Sequence, residues 1–247
     1  MNLSIVIPAH NEEQFIGSCI KSIYENCRLF GINPEIIVVL NRCSDQTKEI
    51  VAGLGAIFVD DNSRNLAKIR NTGIKKAKGD VIITIDADSI ITKEYLSDLI
   101  KNIASRKFIG GGTRVDFNRK SLGIIATKII LDLYVKLSGL SCGAFWFYRK
   151  HYDAIGGFNE KLHFGEDMDF AKRLRDFGKS INLKYGISGK IITSARKFDK
   201  YGDWYFFKLI TFRQKAIKDS VTGKDLSFVN EYFYDFNNDN EKKAIKN

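Results

Sequence analysis

Short, almost wholly apolar stretches alternate with stretches of helical periodicity over the first hundred residues of the chain. The apolar stretches are predicted strands at residues 3–7, 35–40, 56–59 and 81–85. Strands that are apolar along most of their length are buried on both faces, as in a parallel sheet with helices on either side. The alternation therefore predicts an α/β fold with a Rossmann-like, mostly parallel mixed sheet flanked by helices on both faces.

Helical periodicity and capping residues mark the predicted helices. In the first half, helices are expected at residues 12–24, after Ser44 or Asp45, at 65–77 and after Thr92. Beyond residue 105 the pattern of apolar residues changes. The strands predicted there are 108–115, 141–148, 181–185 and 190–194, and the helices are 123–137, 166–177 with Gly178 at its C-cap, and 203–218.

The composition indicates a globular chain with reduced cysteines. Of the 247 residues, 44% are hydrophobic and 28% are charged, which is not the balance of a disordered chain. The four cysteines form no CxxC motif, and the three histidines have no zinc-ligand spacing. The chain starts with a predicted strand and has no apolar run of about 18 residues, so neither a signal peptide nor a spanning helix is expected. We therefore expect a cytoplasmic protein, and attachment to the inner face of the cell membrane stays open.

The chain is basic, with a formal net charge of +10. A basic protein attracts phosphate groups, nucleic acids or anionic lipids, but basic runs are also common on solvated helix faces. No nucleic-acid-binding motif is present, so nucleic acid is not an expected partner.

Polar residues follow three of the predicted strands, at residues 8–10, 41–43 and 86–88. Ligands of such sheets bind at the carboxyl ends of the strands, so these clusters predict a shared site. Asp86 and Asp88 are two residues apart and point the same way if the strand continues. Carboxylate oxygens are suited to Mg²⁺ or Mn²⁺. The alternative is that the two aspartates cap the next helix, and the buried strand before them favours the metal.

Two further groups of polar residues are candidates for the same site. Arg70 lies on the helix that precedes the aspartate pair, and its planar guanidinium is suited to phosphate; an ordinary amphipathic helix is the alternative. Glu166 and Asp167 begin a predicted helix, where the helix dipole alone favours acidic residues. A carboxylate there could also act as a general base.

Six motifs together resemble glycosyltransferase family 2, whose enzymes have the GT-A fold. The motifs occur in the family's order over about residues 1–180, and a single one of them would be weak evidence. They are residues 4–13, 44–47, 67–73 together with 77–80, 85–88, 156–158 and 165–167.

The resemblance implies an inverting, metal-dependent sugar transfer from a nucleotide-diphosphate sugar to an acceptor hydroxyl. Asp167 matches the family's catalytic base, with Glu166 beside it. Asp88 matches the more direct ligand of Mg²⁺ or Mn²⁺, and Asp86 matches a carboxylate that contacts both metal and nucleotide. The predicted contacts of the nucleotide sugar are Pro8, Ala9, Glu12, Asn41, Asp45, Arg70 and Asp86. The expected organisation is a GT-A domain at 1–197, with a nucleotide-sugar half at about 1–105 and an acceptor half at about 106–197, and a C-terminal helical extension with a polar tail at 198–247.

The chain also departs from the family's pattern. The family often has two acids after its second strand, where this chain has Leu40 and Asn41. The nucleotide base of the donor is therefore left open. No histidine follows His163, so the late histidine ligand of the family is absent, and a different protein ligand or water would take its place.

The acceptor, whether glycan, lipid or small molecule, is not determined by the sequence. Trp146 and Gly143 are acceptor-side candidates, because aromatic faces pack on sugar rings; the alternative for Trp146 is a place in the core. The aromatic helix at 203–212 is expected either to contact a membrane surface or to pack on the domain or a second copy. A non-catalytic nucleotide-sugar-binding protein and a nucleotidyltransferase are the alternative functions.

Overall fold

The computed structural model describes residues 2–141, 143–212, 214–221 and 223–235. The predicted polar tail after residue 235 lies outside the described residues. The strands are β1 (Leu3–Ala9), β2 (Glu35–Leu40), β3 (Ile57–Asp60), β4 (Val81–Thr84), β5 (Ser89–Ile91), β6 (Phe108–Phe117), β7 (Phe145–Tyr148) and β8 (Lys184–Thr193). The longer helices are α1 (Ile16–Leu29), α2 (Thr47–Gly53), α3 (Leu66–Lys76), α4 (Lys93–Ser105), α5 (Leu122–Ser138), α6 (Arg149–Ala154), α7 (Glu166–Ser180), α8 (Arg196–Tyr201), α9 (Tyr205–Phe212) and α10 (Gln214–Val221). The described chain ends with the short helix α11 (Ser227–Val229) and a π-helical turn (Asn230–Asp235).

All eight strands of the described residues form one mixed sheet in the order β3-β2-β1-β4-β7-β6-β8-β5. Strands β3, β2, β1 and β4 are parallel neighbours, β7 is antiparallel to β4 and β6, and β8 is parallel to β6. The four parallel strands all present their carboxyl ends at one edge of the sheet, which is the edge that carries the polar clusters. The predicted α/β fold with a mixed sheet is confirmed.

The two faces of the sheet carry separate apolar cores. In β1, Ile5 and Ile7 pack in one core with residues of α1 and α4, whereas Val6 packs in the other with residues of α3 and α7. Successive residues of a strand point to opposite faces, so a strand buried on both sides is apolar throughout. This arrangement is the physical origin of the apolar stretches in the sequence.

Helix α3 lies unusually close to the sheet. A Cβ atom at Gly73 would be 2.4 Å from Val6 Cγ1 and 2.7 Å from Val39 Cγ2. Any larger residue would push the helix away from β1 and β2, since such distances are below van der Waals contact. Gly73 thereby fixes the depth of α3, which carries Arg70.

Two predicted strands are one in the structure. The expected strands at 181–185 and 190–194 are joined in β8, which pairs along its length with β6 through two register shifts. The expected strand at 141–148 begins only at Phe145. Its first part leaves the sheet because the Ser141 hydroxyl, rather than its backbone, bonds to the backbone N–H (3.0 Å) and carbonyl of Thr113.

The helical predictions also needed correction in the second half. Gly178 is not a C-cap but an internal residue of α7, where a Cβ would lie 2.9 Å from Ile109 Cγ2. Within the described residues, the expected helix at 203–218 is represented by α9, which begins at Tyr205, and by α10, which ends at Val221. Strand β5 and helices α6 and α8 were not predicted. No helix in the described part of the chain has the length and apolarity required to cross a bilayer.

Candidate active site

Two carboxylates follow β4 at the carboxyl edge of the sheet. The Asp86 side chain is 57% exposed, and that of Asp88 is 14% exposed. Asp88 is fastened to the end of β8, because its main-chain oxygen accepts a hydrogen bond from Ser194 N (3.1 Å) and its carboxylate accepts one from the Thr193 hydroxyl (3.4 Å). The pair is therefore held by two strands that are distant in sequence.

Arg70 connects this carboxylate pair to the start of α7. Its guanidinium Nη2 donates to Asp86 Oδ1 at 3.1 Å, and Nη1 donates to Glu166 Oε1. The side chains of Arg70 and Glu166 are only 7% and 4% exposed. The guanidinium also lies 5.6 Å from the ring centre of Phe158. The buried pair with Glu166 fixes the guanidinium, which in turn bonds to the more exposed carboxylate of Asp86.

Two asparagines of α3 and its N-cap position the loop before α7. Asn65 caps α3 by accepting from Lys68 N (2.9 Å), and its amide donates to the carbonyls of Glu160 and Leu162. The Asn71 amide donates to the carbonyl of Phe158 at 2.9 Å, and its oxygen accepts from Phe158 N at 3.0 Å. The helix that carries Arg70 thus also places the loop that leads to Glu166.

Asp167 is partly buried beside Glu166. Burial is the main reason that the pKa of Asp167 is raised to about 7; the charge of Glu166 acts in the same direction and Arg70 acts against it. Its carboxylate also accepts a hydrogen bond from Met168 N at 2.7 Å. A carboxyl group with a pKa near neutrality can both take and release a proton at physiological pH, as a general base must.

A second arginine contacts the carboxylates from the C-terminal side. Arg196 donates to both carboxylate oxygens of Glu12, at 2.8 and 2.7 Å, and its Nη2 lies 3.1 Å from Asp88 Oδ2. The guanidinium also lies 4.7 Å from the ring centre of Phe15. Arg196 therefore joins the loop after β1, the aspartate pair and the start of α8.

A cavity of about 120 Å³ lies over the carboxyl ends of the strands. Five predicted contacts of the nucleotide sugar line it, together with Asp88. They are Pro8, Ala9, Glu12, Asn41 and Asp86. These predicted residues were selected from three separate parts of the sequence, and the fold brings them to one cavity.

The C-terminal segment, residues 227–235, forms the outer wall of this cavity through Tyr232, Phe233 and Tyr234. The Tyr234 side chain is buried, with the Arg42 guanidinium 4.6 Å from its ring centre and the His10 ring 5.7 Å away. The segment also packs on the loop before α7, where the rings of Phe164 and Phe228 are 5.4 Å apart.

A second cavity, of about 240 Å³, is also lined by Asp86 and Asp88. Its walls are apolar side chains of α5 and α9, together with Lys197 and Tyr232. The apolar residues include Leu131, Tyr205, Phe206 and Leu209. A ligand there would contact the two carboxylates with one end and apolar side chains with the other.

Some predicted site residues lie elsewhere. Asp45 does not line the cavity; its carboxylate accepts from Glu13 N (2.9 Å) and Thr47 N (3.0 Å), which ties two loops together. Trp146 is fully buried in the core, so neither face of its ring is open to a sugar. The alternative stated for Trp146, a place in the core, is the one observed. Gly143 packs against Thr113 instead of lining a cavity beside the aspartates.

Asn41 lines the cavity, but the hydrogen bonds of its side-chain amide are made to other protein groups. The amide nitrogen donates to the carbonyls of Asp61 (2.5 Å) and Ser63 (2.7 Å). The amide oxygen accepts from the Arg42 guanidinium at 3.2 Å. Its main-chain oxygen bonds to His10 Nδ1 at 2.6 Å. The side chain thus shapes the wall of the cavity from behind.

Arg196, Lys197 and the aromatic residues 232–234 were not among the predicted site residues. A signal was available for the first two, because Arg196 and Lys197 follow the end of a predicted strand, as the other polar clusters do. The aromatic residues gave no such signal, since nothing local shows where the chain folds back.

Comparison with known proteins decides the family. Residues 4–164 match the sequence profile described as Glycosyl transferase family 2. The chain belongs to this family. The predicted resemblance to family 2 is thereby confirmed, and the chain carries a glycosyltransferase family 2 domain.

Relatives and solved structures agree with the family. The chain is 28% identical over 162 residues to the undecaprenyl-phosphate 4-deoxy-4-formamido-L-arabinose transferase of Pectobacterium carotovorum, covering 61% of this chain and 49% of that relative. The structure resembles Staphylococcus aureus TarS 1–349 (TM-score 0.61, 18% identity, 95% of this chain and 73% of that one). It also resembles the Mycobacterium tuberculosis glucosyl-3-phosphoglycerate synthase in complex with Mn²⁺, UDP and glucosyl-3-phosphoglycerate (TM-score 0.55, 19% identity, 81% and 75%).

These matches confirm the predicted GT-A fold. The chain spans half or less of the length of the first curated relatives that it matches. The matches therefore establish the family and the fold, whereas donor and acceptor are matters for a proposal.

Mn²⁺ is present in the structure of one neighbour, the glucosyl-3-phosphoglycerate synthase complex, and a divalent cation is predicted for this chain by its resemblance to the family. Asp86 and Asp88 fit this role, because one or two carboxylates together with substrate phosphates and water form the usual Mg²⁺ site. Within the described residues, no group of three or more His, Cys, Asp or Glu side chains could hold a metal ion. Substrate oxygens or water would therefore supply the remaining ligands.

Proposed function

We propose that this protein is an inverting, metal-assisted glycosyltransferase that acts in cell-envelope glycan or glycolipid synthesis. It moves a sugar from a nucleotide-diphosphate sugar to an acceptor hydroxyl. The proposal rests mainly on one observation: the buried guanidinium of Arg70 contacts both Asp86 and Glu166, the neighbour of Asp167. This ion-pair network joins the carboxylates proposed for the donor to the carboxylate proposed for proton transfer.

In the proposed reaction, Asp167 takes the proton of the acceptor hydroxyl. The hydroxyl oxygen forms a bond to the anomeric carbon of the sugar while the bond from that carbon to the diphosphate breaks. The diphosphate leaves with the bonding electrons from the opposite side, and the configuration at the anomeric carbon is inverted. The raised pKa of Asp167, about 7, supports its role as the base.

On the donor side, Pro8, Ala9 and Glu12 form the proposed floor of the nucleotide site. Asp86 and Asp88 would hold Mg²⁺ or Mn²⁺, which neutralises charge on the departing diphosphate when it is bound. Arg70 orients Asp86 toward this site. The proposed role of Asp45 is indirect, because its carboxylate fastens the loop that carries Glu12. One relative of this chain is an undecaprenyl-phosphate 4-deoxy-4-formamido-L-arabinose transferase, which supports an envelope role.

The proposed division of the chain follows the same contacts. The nucleotide-sugar half, about 1–105, supplies Asp86 and Asp88, and the acceptor half, about 106–197, supplies Asp167. The extension from 198 adds Tyr232 to the cavity wall.

The role of Asp167 is tested by Asp167→Asn. We expect sugar transfer to fall by about a hundredfold to ten-thousandfold, since general-base catalysis contributes roughly 10²–10⁴-fold. Donor binding, measured by calorimetry, is expected to stay within about twofold of the wild type. The matched control is Asp169→Asn on the same helix, whose carboxylate pairs with Arg173 at 2.7 Å. Unchanged transfer in Asp167→Asn, or loss of donor binding, would reject the assignment.

The donor class is tested by thermal shift with UDP-, GDP-, CMP- and dTDP-sugars, each with and without Mn²⁺. A ligand that binds only the folded protein raises its melting temperature. We expect a shift that requires one nucleotide class together with the metal. A protein that binds a donor but yields no product with any acceptor would instead be a binding protein.

Contact with a membrane surface or a second copy is proposed for the apolar helices α5 and α9. Exposed apolar side chains support it, among them Leu122 (81%), Leu137 (78%) and Ile129 (60%) on α5, and Trp204 (50%) and Ile210 (44%) at α9. Patches of this kind commonly mark interaction sites. Flotation with anionic liposomes and measurement of the molecular mass in solution distinguish the two partners.

A further inference from the structure

The proposed active site contains three basic side chains and an excess of carboxylates. The carboxylates belong to Glu12, Asp86, Asp88, Glu166 and Asp167, and the basic groups to Arg70, Arg196 and Lys197. Two of the three basic groups are occupied. Arg70 bonds to Asp86 and Glu166, and Arg196 bonds to Glu12 and Asp88.

Lys197 differs from these arginines in its partners. Among the described residues, no carboxylate oxygen lies within 4.0 Å of its ammonium nitrogen. The nitrogen lies 3.4 Å from the ring centre of Tyr232 and 5.2 Å from that of Phe233. The contacts that hold this ammonium are therefore with aromatic faces of the C-terminal segment, and such contacts are weaker than those to a carboxylate.

The position of Lys197 is shared by both cavities. It lines the smaller cavity with Pro8 and Ala9, and it lines the larger one with residues of α5 and α9. Asp86 and Asp88 also line both. The ammonium is thus located where the two cavities meet at the aspartates, which is where the bond between sugar and diphosphate would break in the proposed reaction.

We propose that Lys197 binds the diphosphate of the donor, exchanging the ring of Tyr232 for phosphate oxygens. This inference rests on the proposed function, and it adds a binding residue that contributes whether or not a metal is present. A departing diphosphate gains negative charge, and an ammonium placed beside it before the reaction stabilises that charge.

The size of the smaller cavity agrees with an exchange of this kind. Its volume of about 120 Å³ is below the roughly 300 Å³ at which common ligand pockets begin. Tyr232, Phe233 and Tyr234 form its outer wall, so room for a donor requires a shift of the C-terminal segment. Such a shift removes the aromatic contacts of Lys197, and the phosphate groups replace them.

The test measures binding of inorganic pyrophosphate by calorimetry, because this probe does not depend on the unknown base or sugar. Lys197→Met keeps the length of the side chain and removes its charge. The control is Lys200→Met, an exposed lysine on the same helix. We expect Lys197→Met to weaken binding by about 10-fold to 100-fold, as loss of a charge-assisted hydrogen bond does. The control should stay within about twofold of the wild type.

The measurement is made with EDTA and again with Mn²⁺. The weakening is expected in both, whereas a role limited to holding the metal carboxylates would affect binding only with Mn²⁺ and would overturn the proposal. Lys197→Arg retains the charge and should bind within about fivefold of the wild type. If Lys197→Arg is folded by circular dichroism and binds as weakly as Lys197→Met, the role of Lys197 is structural and the proposal is wrong.

Failure of this inference differs from failure of the proposed function. A wild-type protein that binds pyrophosphate and donor, while Lys197→Met binds equally well, overturns the inference alone. A protein that binds pyrophosphate through Lys197 but transfers no sugar overturns the proposed function and leaves the phosphate site in place.

Discussion

Replacing Arg70 by methionine tests the central ion-pair network of this site. The change keeps the unbranched aliphatic stem, removes the guanidinium and leaves the Glu166 carboxylate without its cation. The Arg70 and Glu166 side chains are 7% and 4% exposed, so water cannot replace the lost partner. Breaking a buried ion pair on one side costs about 3–5 kcal/mol. We expect a loss of this size in the free energy of unfolding.

The assay is urea unfolding at pH 8, followed by circular dichroism. The double variant Arg70→Met/Glu166→Gln contains neither charge, and it should recover at least half of the loss, because an amide is far less costly to bury than an unpaired carboxylate. Lys128→Met is the control, since Lys128 pairs with Asp132 on an exposed helix face (2.6 Å, 34% and 36% exposed). Exposed pairs contribute less than about 1 kcal/mol.

Equal losses in Arg70→Met and the control, or a double variant no more stable than the single one, would refute this account. The first result would mean that the pair is solvated in solution. The second would mean that Arg70 stabilises the protein through packing on Phe158 rather than through its charge.

Three further predictions concern the pH dependence, the packing and the surface. The pKa of the Asp167 carboxyl is about 7 in the folded protein and about 3.8 in the unfolded chain. The folded protein therefore binds this proton more tightly than the unfolded chain does, and the free energy of unfolding decreases as the pH rises from 4 to 7. Asp167→Asn should remove that slope and raise stability at pH 8, by at most about 4 kcal/mol; an unchanged slope in a pH series of urea unfolding contradicts this. Gly73→Ala should destabilise the protein by about 1–3 kcal/mol, because its Cβ would meet side chains of β1 and β2. The control Gly53→Ala in α2 has open space around its Cβ and should be neutral or stabilising. Thermal unfolding that ranks the two variants in the opposite order would refute the packing argument. The double variant Leu122→Ser/Leu137→Ser should have a free energy of unfolding within about 0.5 kcal/mol of the wild type, since both side chains are exposed. It should also abolish liposome flotation or self-association. Flotation or self-association at the wild-type level would show that α5 is not the contact.

Local patterns in the sequence were sufficient for the sheet and for much of the donor site. Apolar strands of one sheet end at one edge, so the residues that follow them converge without any further information. Pro8, Asn41 and Asp86 were found in this way, and all three line one cavity. The acidic start of α7 was also visible, although its distance from the aspartates was not.

Other features depended on contacts between distant parts of the chain. Trp146 lies on a strand in which alternate residues face different cores, and only the pairing of β7 between β4 and β6 shows that its ring is enclosed. The position of Gly178 also depended on a distant contact, because a glycine near the end of a helix fits a C-cap as well as an internal position. Its internal place is explained by the close approach of Ile109.

The sequence by itself determined the α/β class, the family and the edge of the sheet where the proposed chemistry takes place, because strand burial and strand ends leave periodic local signals. Only the tertiary structure decided how the charges of that edge are paired. Arg196 bonds to Glu12 across 184 residues, and Lys197 is covered by the ring of Tyr232. Such contacts form when the chain closes on itself, and no pattern of neighbouring residues encodes which distant side chain will complete an ion pair.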